Sequence, residues 1–468
     1  MTYPCPLFNV LKRYTKKPKI QFHMPGHCAG QFGDKKFLTF LQKNLFKIDL
    51  TEIDDLDCLH APENVIKQTQ EKIANIYDSK SSYMLVNGST VGLQALIFSV
   101  ASEGDKIIVA RNCHRSVMSA ITLSGAIPVF VMPFWNKQWD IFASVDPSQI
   151  ELAIKNNPDA KAIIITSPTY EGIVSEIDDI ADICHQNEIP LIVDESHGGH
   201  FAFSERFPLP ALKQKADAVV HSLHKTCGSL TQTSLLHISK NTLINQKHLE
   251  ENLKMLQTTS PSYILMSSLD ATTSYMASEK GTNQIDQWYR LSNRAKHNLS
   301  KIDRLEIFNL NGDFEVDPSK LLLKMKHMSG QTLADFLENN YNIGIESLNN
   351  VSNLLFMNVG NKKRDFKTLY NALKNIAALK ITEEVKNISC PDISRLGLPP
   401  KVAFYRNSVT IPLSKAEGKL SQYIVAKCPP GYCILIPGET ISQKHLHYLE
   451  NDMMISVVND KPENKTKS

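Results

Sequence analysis

Short apolar runs and amphipathic stretches alternate along the first half of the chain. From residue 63 to 77, apolar positions recur at helical spacing (Val65, Ile66, Ile73 and Ile76), which predicts a helix. The pattern then predicts strands over 83–86, 106–110, 128–131, 161–166, 191–194 and 218–221, and helices over 91–101, 116–124, 147–156 and 177–187. Short apolar strands that alternate with such helices are typical of parallel βαβ units whose sheet is covered on both faces.

The second half of the chain has a different pattern. A polar helical stretch over 270–301 is a predicted connector, and it is followed by predicted strands over 305–308, 321–325, 354–357 and 409–411. We therefore predict an α/β protein with a mostly parallel central sheet and a smaller α+β C-terminal domain. The predicted division is an N-terminal segment over 1–50, a large domain over 51–300, the C-terminal domain over 301–458 and a disordered tail over 459–468.

Composition narrows the classes of partner and location. The 468 residues are 42% hydrophobic and 21% charged, as in ordinary globular proteins. A net charge of only +3 argues against nucleic acid or an anionic membrane as a partner. The longest apolar runs, such as 95–98, are far shorter than the ~20 residues of a membrane span, and no apolar signal segment follows the basic N-terminus. Nine dispersed cysteines without a Cys-x-x-Cys pair predict reduced thiols and a cytoplasmic location, and we expect no metal site.

Polar segments follow five of the predicted strands. These segments are 87–90, 111–114, 167–171, 194–197 and 222–225. In parallel α/β sheets, ligands bind beyond the carboxyl ends of the strands. We therefore expect the five segments to meet in one site.

Each candidate residue in these segments has a functional and an ordinary interpretation. Ser89 and Thr90 open a helix, where they can bind a phosphate or merely cap the helix. Asp194 ends a very apolar strand and needs a partner, either a protonated ring nitrogen or a local cap or ion pair. Lys225 can be a desolvated amine for imine chemistry, or a lysine in a strand–helix turn. His114 can stack on an aromatic ring, or be a satisfied loop histidine.

Together, a phosphate-binding turn, a buried aspartate, a lysine and a stacking histidine are what pyridoxal phosphate requires. The sequence resembles the Orn/Lys/Arg decarboxylases, which are fold-type I (aspartate-aminotransferase-like) pyridoxal-phosphate enzymes, in the shorter form without an N-terminal wing domain. The resemblance runs from about residue 23 to 441. It rests on HMPGHCAG (23–30), TEIDDLDCLHAP (51–62), NGSTVG (87–92), RNCHRSV (111–117), TSPTYEGI (166–173), VDESHGGH (193–200), HSLHKT (221–226), TTSPSY (258–263) and PPGYCILIPGE (429–439).

The resemblance implies roles at the cofactor ring. Lys225 would bind the cofactor covalently, and Asp194 would pair with its pyridine nitrogen. His114 would stack on one face of the ring, and His197 would reach the phenolic oxygen. Lys225 or His224 would return a proton to the substrate Cα.

The resemblance also implies phosphate and substrate contacts. The phosphate would be held by Ser89, Thr90, Ser222 and His224. Ser260 would reach it from a partner subunit, which predicts a homodimer or higher homo-oligomer with shared active sites. Glu439 would bind the cationic end of the substrate.

Three positions depart from the family pattern. The residue two after Asp194 is usually alanine and lies against the cofactor ring, but here it is Ser196. Cys28 stands where the short enzymes commonly have lysine, and Lys415 lies where a glutamate is expected. The departures bear on cofactor electronics and substrate preference, and none removes a primary catalytic group.

The predicted function is pyridoxal-phosphate-dependent decarboxylation of a basic amino acid (lysine, arginine or ornithine) to an amine and carbon dioxide. An aminotransferase or retro-aldol enzyme on the same scaffold would share Lys225 and Asp194. His114 and the segment over 429–439 favour decarboxylation. A non-catalytic interaction protein is the third class, and the intact lysine, aspartate and histidine set argues against it.

Overall fold

A computed structural model describes residues 5–53, 55–310, 312–385, 390, 393–426, 431–449 and 453–459. Over these residues the strands β1 to β19 are, in chain order, Ile20–Phe22, Ser81–Leu85, Lys106–Ala110, Ile127–Val131, Trp135–Asn136, Ile141–Phe142, Ala162–Thr166, Leu191–Asp194, Ala218–His221, Ser234–Ile238, Leu305–Ile307, Lys320–Met325, Ile343–Ile345, Ser347–Leu348, Asn353–Phe356, Ser408–Pro412, Val425–Ala426, Cys433–Leu435 and Met454–Val458.

The α-helices complete the inventory of regular structure. Helices α1 to α15 are Pro6–Tyr14, Lys35–Asn44, Val65–Tyr77, Gly88–Val100, Arg115–Ser124, Pro147–Asn156, Ile177–Gln186, Leu223–Thr226, Gln246–Leu256, Tyr263–Ala277, Glu279–Leu299, Gly330–Tyr341, Lys363–Ala377, Pro400–Tyr405 and Gln443–Tyr448. Short 3-10 turns lie at Leu45–Lys47, Phe201–Phe203, Ala211–Gln214 and Leu413–Lys415. Among the described helices, none combines the length and apolar character that crossing a bilayer requires.

The central sheet has seven strands in the order β2-β10-β9-β8-β7-β3-β4. Strand β10 is antiparallel to both its neighbours, and the other pairs are parallel. The predicted mostly parallel sheet is therefore confirmed. Sequence reasoning missed β10, because its polar residues Ser234 and His237 interrupt the apolar pattern of a buried strand. His237 is accommodated in the interior by a hydrogen bond, since its Nδ1 lies 2.7 Å from the hydroxyl of Ser82 on β2.

Helices cover both faces of this sheet, as the alternation of side chains along β3 shows. Ile107 and Val109 pack in the apolar cluster formed with α4, α5 and α9. Ile108 and Ala110 point the opposite way and pack with α6 and α7. Because side chains alternate between the two faces of a strand, a run that is apolar throughout needs cover on both sides.

The predicted strand and helix bounds hold closely, with one informative difference. Helix α4 begins at Gly88, three residues before the predicted start at 91. The first turn of α4 consists of small and polar residues, so its apolar periodicity begins only at Val91. Gly88 has a φ of 78°, a left-handed conformation that glycine adopts without steric cost.

A second, antiparallel sheet has the strand order β11-β12-β15-β14 and packs against α12 and α13. Phe22 of the N-terminal segment belongs to this core, and β1 pairs in parallel with β13. The strand predicted over 409–411 forms as β16, but it pairs with β19 in a separate two-stranded sheet. Residues 460–468 of the predicted tail lie outside the described residues.

A buried arginine attaches the C-terminal segment to the central sheet. Arg111 follows β3, and its guanidinium donates to the carbonyls of Cys433 (2.8 Å) and Ile434 (2.7 Å). It also pairs with Glu439 at 3.0 Å, and both side chains are at most 1% exposed. The N–H of Arg115 donates to the carbonyl of Gly431 at 2.9 Å, so this segment is held over the start of α5.

We expect Glu439→Gln to lower the free energy of unfolding by about 3 kcal/mol, because the amide leaves the buried Arg111 without a counter-charge. Burial raises the pKa of Glu439, and Arg111 opposes that rise. Denaturant unfolding followed by circular dichroism measures the change. The matched control is Glu103→Gln, which removes an exposed pair with Lys401 and should cost at most about 1 kcal/mol. Equal losses in the two variants would contradict the structural role of Glu439.

Candidate active site

A cavity of about 460 Å³ lies at the carboxyl edge of the central sheet. Its wall brings together residues that follow β2, β3, β8 and β9, and it is closed from the other side by Leu322 and Leu354 of the second sheet and by Tyr432. Most of the residues selected from the sequence line this cavity. They are Ser89, Thr90, His114, Asp194, Ser196, His197, Ser222, His224 and Lys225.

A candidate phosphate-binding turn is formed by residues that follow two strands of the central sheet, β2 and β9. Ser89 lies in the first turn of α4, and its hydroxyl is 2.5 Å from that of Ser222, which directly follows β9. Ser89 Oγ also donates to Ser234 Oγ at 3.1 Å. Free backbone N–H groups and the positive end of the helix dipole make a helix N-terminus suited to an anion. The two hydroxyls and the α4 N-terminus therefore form a candidate phosphate site.

Asp194 is the last residue of β8 and is 3% exposed. Its Oδ1 accepts hydrogen bonds from Ser196 Oγ at 2.5 Å and from Ser196 N at 3.2 Å. The hydroxyl that distinguishes this chain from the alanine of its family pattern is thus directed at the carboxylate. Asp194 therefore lies buried at the cavity wall with Ser196 bonded to its Oδ1.

Lys225 and His197 are in direct contact. Lys225 Nζ lies 3.0 Å from His197 Nε2, in the wall of the cavity. Burial lowers the pKa of Lys225 and holds the pKa of His197 well below its usual range. Asp194 opposes the shift at Lys225 by favouring its ammonium form. The amine is therefore placed where its neutral, nucleophilic form is easier to reach than in water.

His114 and His224 complete the set of cavity imidazoles. His114 caps α5, and its Nδ1 accepts from Ser116 N at 3.2 Å. A Cβ on Gly431 would come within 2.8 Å of the His114 ring, so a glycine there lets the C-terminal segment press against the imidazole. His224 Nδ1 lies 3.0 Å from the carbonyl of Thr233 and must donate to it. Burial lowers the pKa of His224 to about 4.

The family model for the major domain of Orn/Lys/Arg decarboxylases matches residues 5–332 of this chain. The chain belongs to this family. It is 33% identical to a Bacillus subtilis protein named arginine decarboxylase, over 98% of this chain and 96% of that protein. A Bacillus anthracis protein with the same name is 34% identical, over 99% and 96%.

A solved structure shares the fold of this chain. The lysine decarboxylase LdcF of Francisella novicida superposes with a TM-score of 0.75 at 19% identity, covering 97% of this chain and 81% of that one. The fold-type I architecture that the resemblance implied is thereby confirmed.

Three acidic residues that the sequence analysis did not name individually also line this cavity. They are Asp140, Glu171 and Glu346. Glu346 accepts hydrogen bonds from the N–H of Met24 (2.8 Å) and from the hydroxyl of Tyr170. Burial raises the pKa of Glu171 to about 7. Glu171 lies within the polar segment 167–171 that was expected to reach the site and within the matched TSPTYEGI segment, and these were the signals for it.

Lys320 is a further site residue that sequence reasoning missed. It opens β12 of the second sheet, is 3% exposed, and its Nζ lies 3.4 Å from His197 Nδ1. Its sole signal in the sequence is a lysine at the start of the apolar strand KLLLKM. Burial lowers its pKa to about 8.

The structure corrects the assignment of Glu439. Its carboxylate is 0% exposed and accepts from Arg111, from the N–H of Ile436 (3.0 Å) and from the N–H of Ser394 (3.2 Å). It is absent from the cavity wall formed by the described residues. Glu439 is thus engaged by an internal cation and is not available to a substrate cation.

Three other sequence-selected positions also lie away from the cavity wall of their own chain. Ser260 is exposed in the loop after α9, and its predicted contact with a partner's cofactor stays a prediction. Cys28 is buried, with its Sγ 3.8 Å from the carbonyl of Gln21, and Lys415 is exposed. Residues 429–430 of the PPGYCILIPGE segment, and Asp54 of TEIDDLDCLHAP, lie outside the described residues.

Proposed function

We propose that this chain decarboxylates a basic amino acid with pyridoxal 5'-phosphate as its cofactor. The observation that carries the proposal is the meeting of Lys225, His197 and Asp194 with the Ser89–Ser222 turn in one cavity. The two full-length relatives described above are named arginine decarboxylase. Arginine is therefore the first substrate to test, ahead of lysine and ornithine.

The residues present fit the cofactor. Lys225 would bind it through its amine, Asp194 would pair with the pyridine nitrogen, and His114 would lie against the ring. The phosphate would be held by the α4 N-terminus with Ser89, Thr90 and Ser222. When bound, the cofactor supplies an electron sink that stabilises the carbanion left by carbon dioxide.

Asp194 would hold a proton at the ring nitrogen of a bound cofactor, which would keep that sink strong. Its carboxylate is buried, so an ionised Asp194 without a cationic partner is unfavourable by several kcal/mol. The hydrogen bond from Ser196 Oγ satisfies Oδ1 and fixes the carboxylate plane. This arrangement leaves Oδ2 as the oxygen that would face the ring.

Lys225 and His224 are the groups placed to move protons. The lowered pKa of Lys225 makes its neutral amine easier to reach than in water, which suits attack on an aldehyde and later acceptance or return of a proton. Because His224 Nδ1 donates to Thr233, Nε2 is the acceptor of the neutral ring. A phosphate anion beside His224 would favour its protonated form, since opposite charges raise a histidine pKa.

The carboxylates of the cavity are suited to the side chain of a basic substrate. Burial raises the pKa of Glu171, and an ammonium or guanidinium bound beside it would lower that pKa again by stabilising the carboxylate. A basic side chain and the Glu171 carboxylate would therefore stabilise each other. Asp140 and Glu346 add negative charge to the same wall. We assign the role first given to Glu439 to this acidic group, with Glu171 as its principal member.

The proposed assembly is a cytoplasmic homodimer, or a higher homo-oligomer, with a shared active site. The resemblance of TTSPSY to the family segment supports Ser260 as a phosphate contact in trans, and its exposure leaves it accessible to a second copy. Mixing Ser260→Ala chains with Lys225→Ala chains tests this arrangement. Mixed dimers would contain one site with both residues intact, so activity should exceed that of either variant alone.

We expect Lys225→Ala to lose the visible absorbance of bound cofactor and all turnover. Borohydride reduction of the wild-type holoenzyme, followed by peptide mapping, should place the label on Lys225. Mass spectrometry of the products from arginine, lysine and ornithine then identifies the amine formed. Label on another lysine would refute the assignment, and a keto acid in place of an amine would indicate the aminotransferase chemistry instead.

We expect Asp194→Asn to lower kcat by roughly two to three powers of ten, since a neutral amide does not favour the protonated ring nitrogen and each pKa unit corresponds to about 1.4 kcal/mol. The amide is isosteric and still accepts from Ser196, so the melting temperature should change little. Steady-state kinetics and thermal unfolding on the same sample measure both. Near-normal kcat would mean that Asp194 does not serve the ring.

We expect Glu171→Gln to raise the KM for the basic amino acid at least tenfold, as for a lost charge-assisted hydrogen bond of about 1.5–3 kcal/mol. Because the Glu171 carboxyl ionises around pH 7, the wild-type KM should fall as pH rises from 6 to 8, and the variant's KM should not. The control is Glu176→Gln, an exposed glutamate at the start of α7. An unchanged KM in Glu171→Gln would remove Glu171 from the substrate site.

A further inference from the structure

Lys320 is a buried amine held in a fixed position beside the proposed catalytic lysine. Its Nζ lies 3.3 Å from the centre of the Phe356 ring, a cation–π arrangement. Gly172 leaves room for its side chain, because a Cβ at Gly172 would come within 2.5 Å of Lys320 Cγ. Gly172 itself has a φ of 95°, a conformation that other residues rarely adopt. The surroundings therefore fix where this amine lies.

The two lysines contact opposite nitrogens of one imidazole. Lys225 Nζ is 3.0 Å from His197 Nε2, and Lys320 Nζ is 3.4 Å from His197 Nδ1. The ring is enclosed by Tyr170 and Phe356, which contact it edge-on at 5.0 and 5.7 Å between ring centres. Such a buried imidazole is neutral, and burial together with both lysines lowers its pKa.

A neutral imidazole carries one N–H donor and one acceptor nitrogen, whereas an ammonium group only donates. Two ammonium groups cannot both donate to this ring. The geometry is satisfied when one lysine is charged and donates to the bare nitrogen, while the other is a neutral amine that accepts from the ring N–H. The hydrogen bonds around the ring therefore favour one positive charge on the two lysines together, carried by either Lys225 or Lys320.

We propose that Lys320 is a positioning residue that sets the protonation of Lys225 through His197. The proposal rests on the proposed function only in taking Lys225 as the reactive amine. A charged Lys320 occupies Nδ1, directs the ring N–H to Nε2 and stabilises the neutral amine of Lys225. A neutral Lys320 accepts a hydrogen bond from Nδ1–H and leaves the bare Nε2 to accept a hydrogen bond from a charged Lys225. Lys320 thereby carries the positive charge of the pair when Lys225 reacts as a neutral amine.

The other charged groups around this triad favour a retained proton. Asp194 and Glu346 face Lys225, whereas Asp317, Glu346 and Glu171 face Lys320. Asp317 is shared, since His200 Nε2 lies 3.3 Å from its Oδ1 and Ser319 donates to both its oxygens.

On the other side of the balance, burial disfavours the charged form of each lysine, and the charge of Lys225 disfavours that of Lys320. His114 and His224 also lower the pKa of His197 when they are charged. The acidic groups favour the charged form of the lysines, whereas burial disfavours it. The pair therefore keeps one positive charge while its second amine is neutral.

Competitive acetylation of the chain without cofactor tests this coupling. Trace acetic anhydride labels neutral amines, so peptide-level mass spectrometry from pH 6 to 11 gives the titration of Lys225 directly. Lys320→Met removes the like charge and the Nδ1 partner, and it should raise the pKa of Lys225 by about one unit. Lys320→Arg keeps a permanent charge and donors at Nδ1, and it should lower the pKa of Lys225.

Opposite shifts in the two variants are the expected result. Shifts in the same direction, or none, would overturn the proposal, since a purely structural Lys320 would disturb the cavity without following the sign of its charge. The matched control is Lys324→Met, which removes a lysine of the same strand that lies 4.5 Å over the Trp139 ring, and it should leave Lys225 unshifted. If Lys320→Met does not fold, Lys320→Gln provides the neutral arm.

The labelling is independent of the proposed function, because it uses no cofactor and no substrate. If borohydride later traps the cofactor on another lysine, the proposed function fails while the coupling of the two amines stands. If the cofactor is trapped on Lys225 but the titration ignores Lys320, only the present inference fails.

Discussion

Covering both faces of the central sheet is the constraint on which the rest of the molecule depends. Alternate residues of β3 pack into separate apolar clusters, so the sheet interior is committed to packing. Polar groups are accommodated where the parallel strands end. Asp194 ends β8, Ser222 follows the adjacent strand β9, and both reach the cavity at that edge. Leu322 and Leu354 of the second sheet close the cavity, and Lys320 of the same sheet contacts His197, so both halves of the chain determine the surroundings of the cavity residues.

Desolvation gives these groups their chemical character. Burial lowers the pKa of Lys225, lowers that of Lys320 to about 8 and raises that of Glu171 to about 7, so the Lys320 amine and the Glu171 carboxyl approach each other's range near neutral pH. Around His197, hydrogen-bond geometry adds a second restriction, because the number of available acceptors limits the number of protons. The charges of these side chains therefore depend both on desolvation and on the number of hydrogen-bond donors and acceptors around His197.

The sequence predicted what is local and failed where distant parts meet. Strands over 191–194 and 218–221 were located to the residue because apolar runs and their polar ends are adjacent in the chain. Lys320 could not be connected with His197, since 123 residues separate them and the second sheet brings them together. Glu439 was assigned to the site from the family resemblance, and its position after Pro437 and Gly438 in a turn agreed with that assignment. A turn does not reveal which way a carboxylate faces, and its partner Arg111 lies 328 residues away.

The attachment of Arg111 to the C-terminal segment makes the cavity wall beside His114 depend on a late part of the polypeptide. Every group proposed to hold the cofactor within one subunit precedes residue 226, yet Arg111 acquires Cys433, Ile434 and Glu439 as partners only when the end of the polypeptide has been made. A chain that ended before residue 431 would contain those groups but lack the partners of Arg111, whose guanidinium would then be solvated by water. The cavity wall would also lack Tyr432, so the last part of the polypeptide is needed to close the cavity although it supplies none of the groups proposed to hold the cofactor.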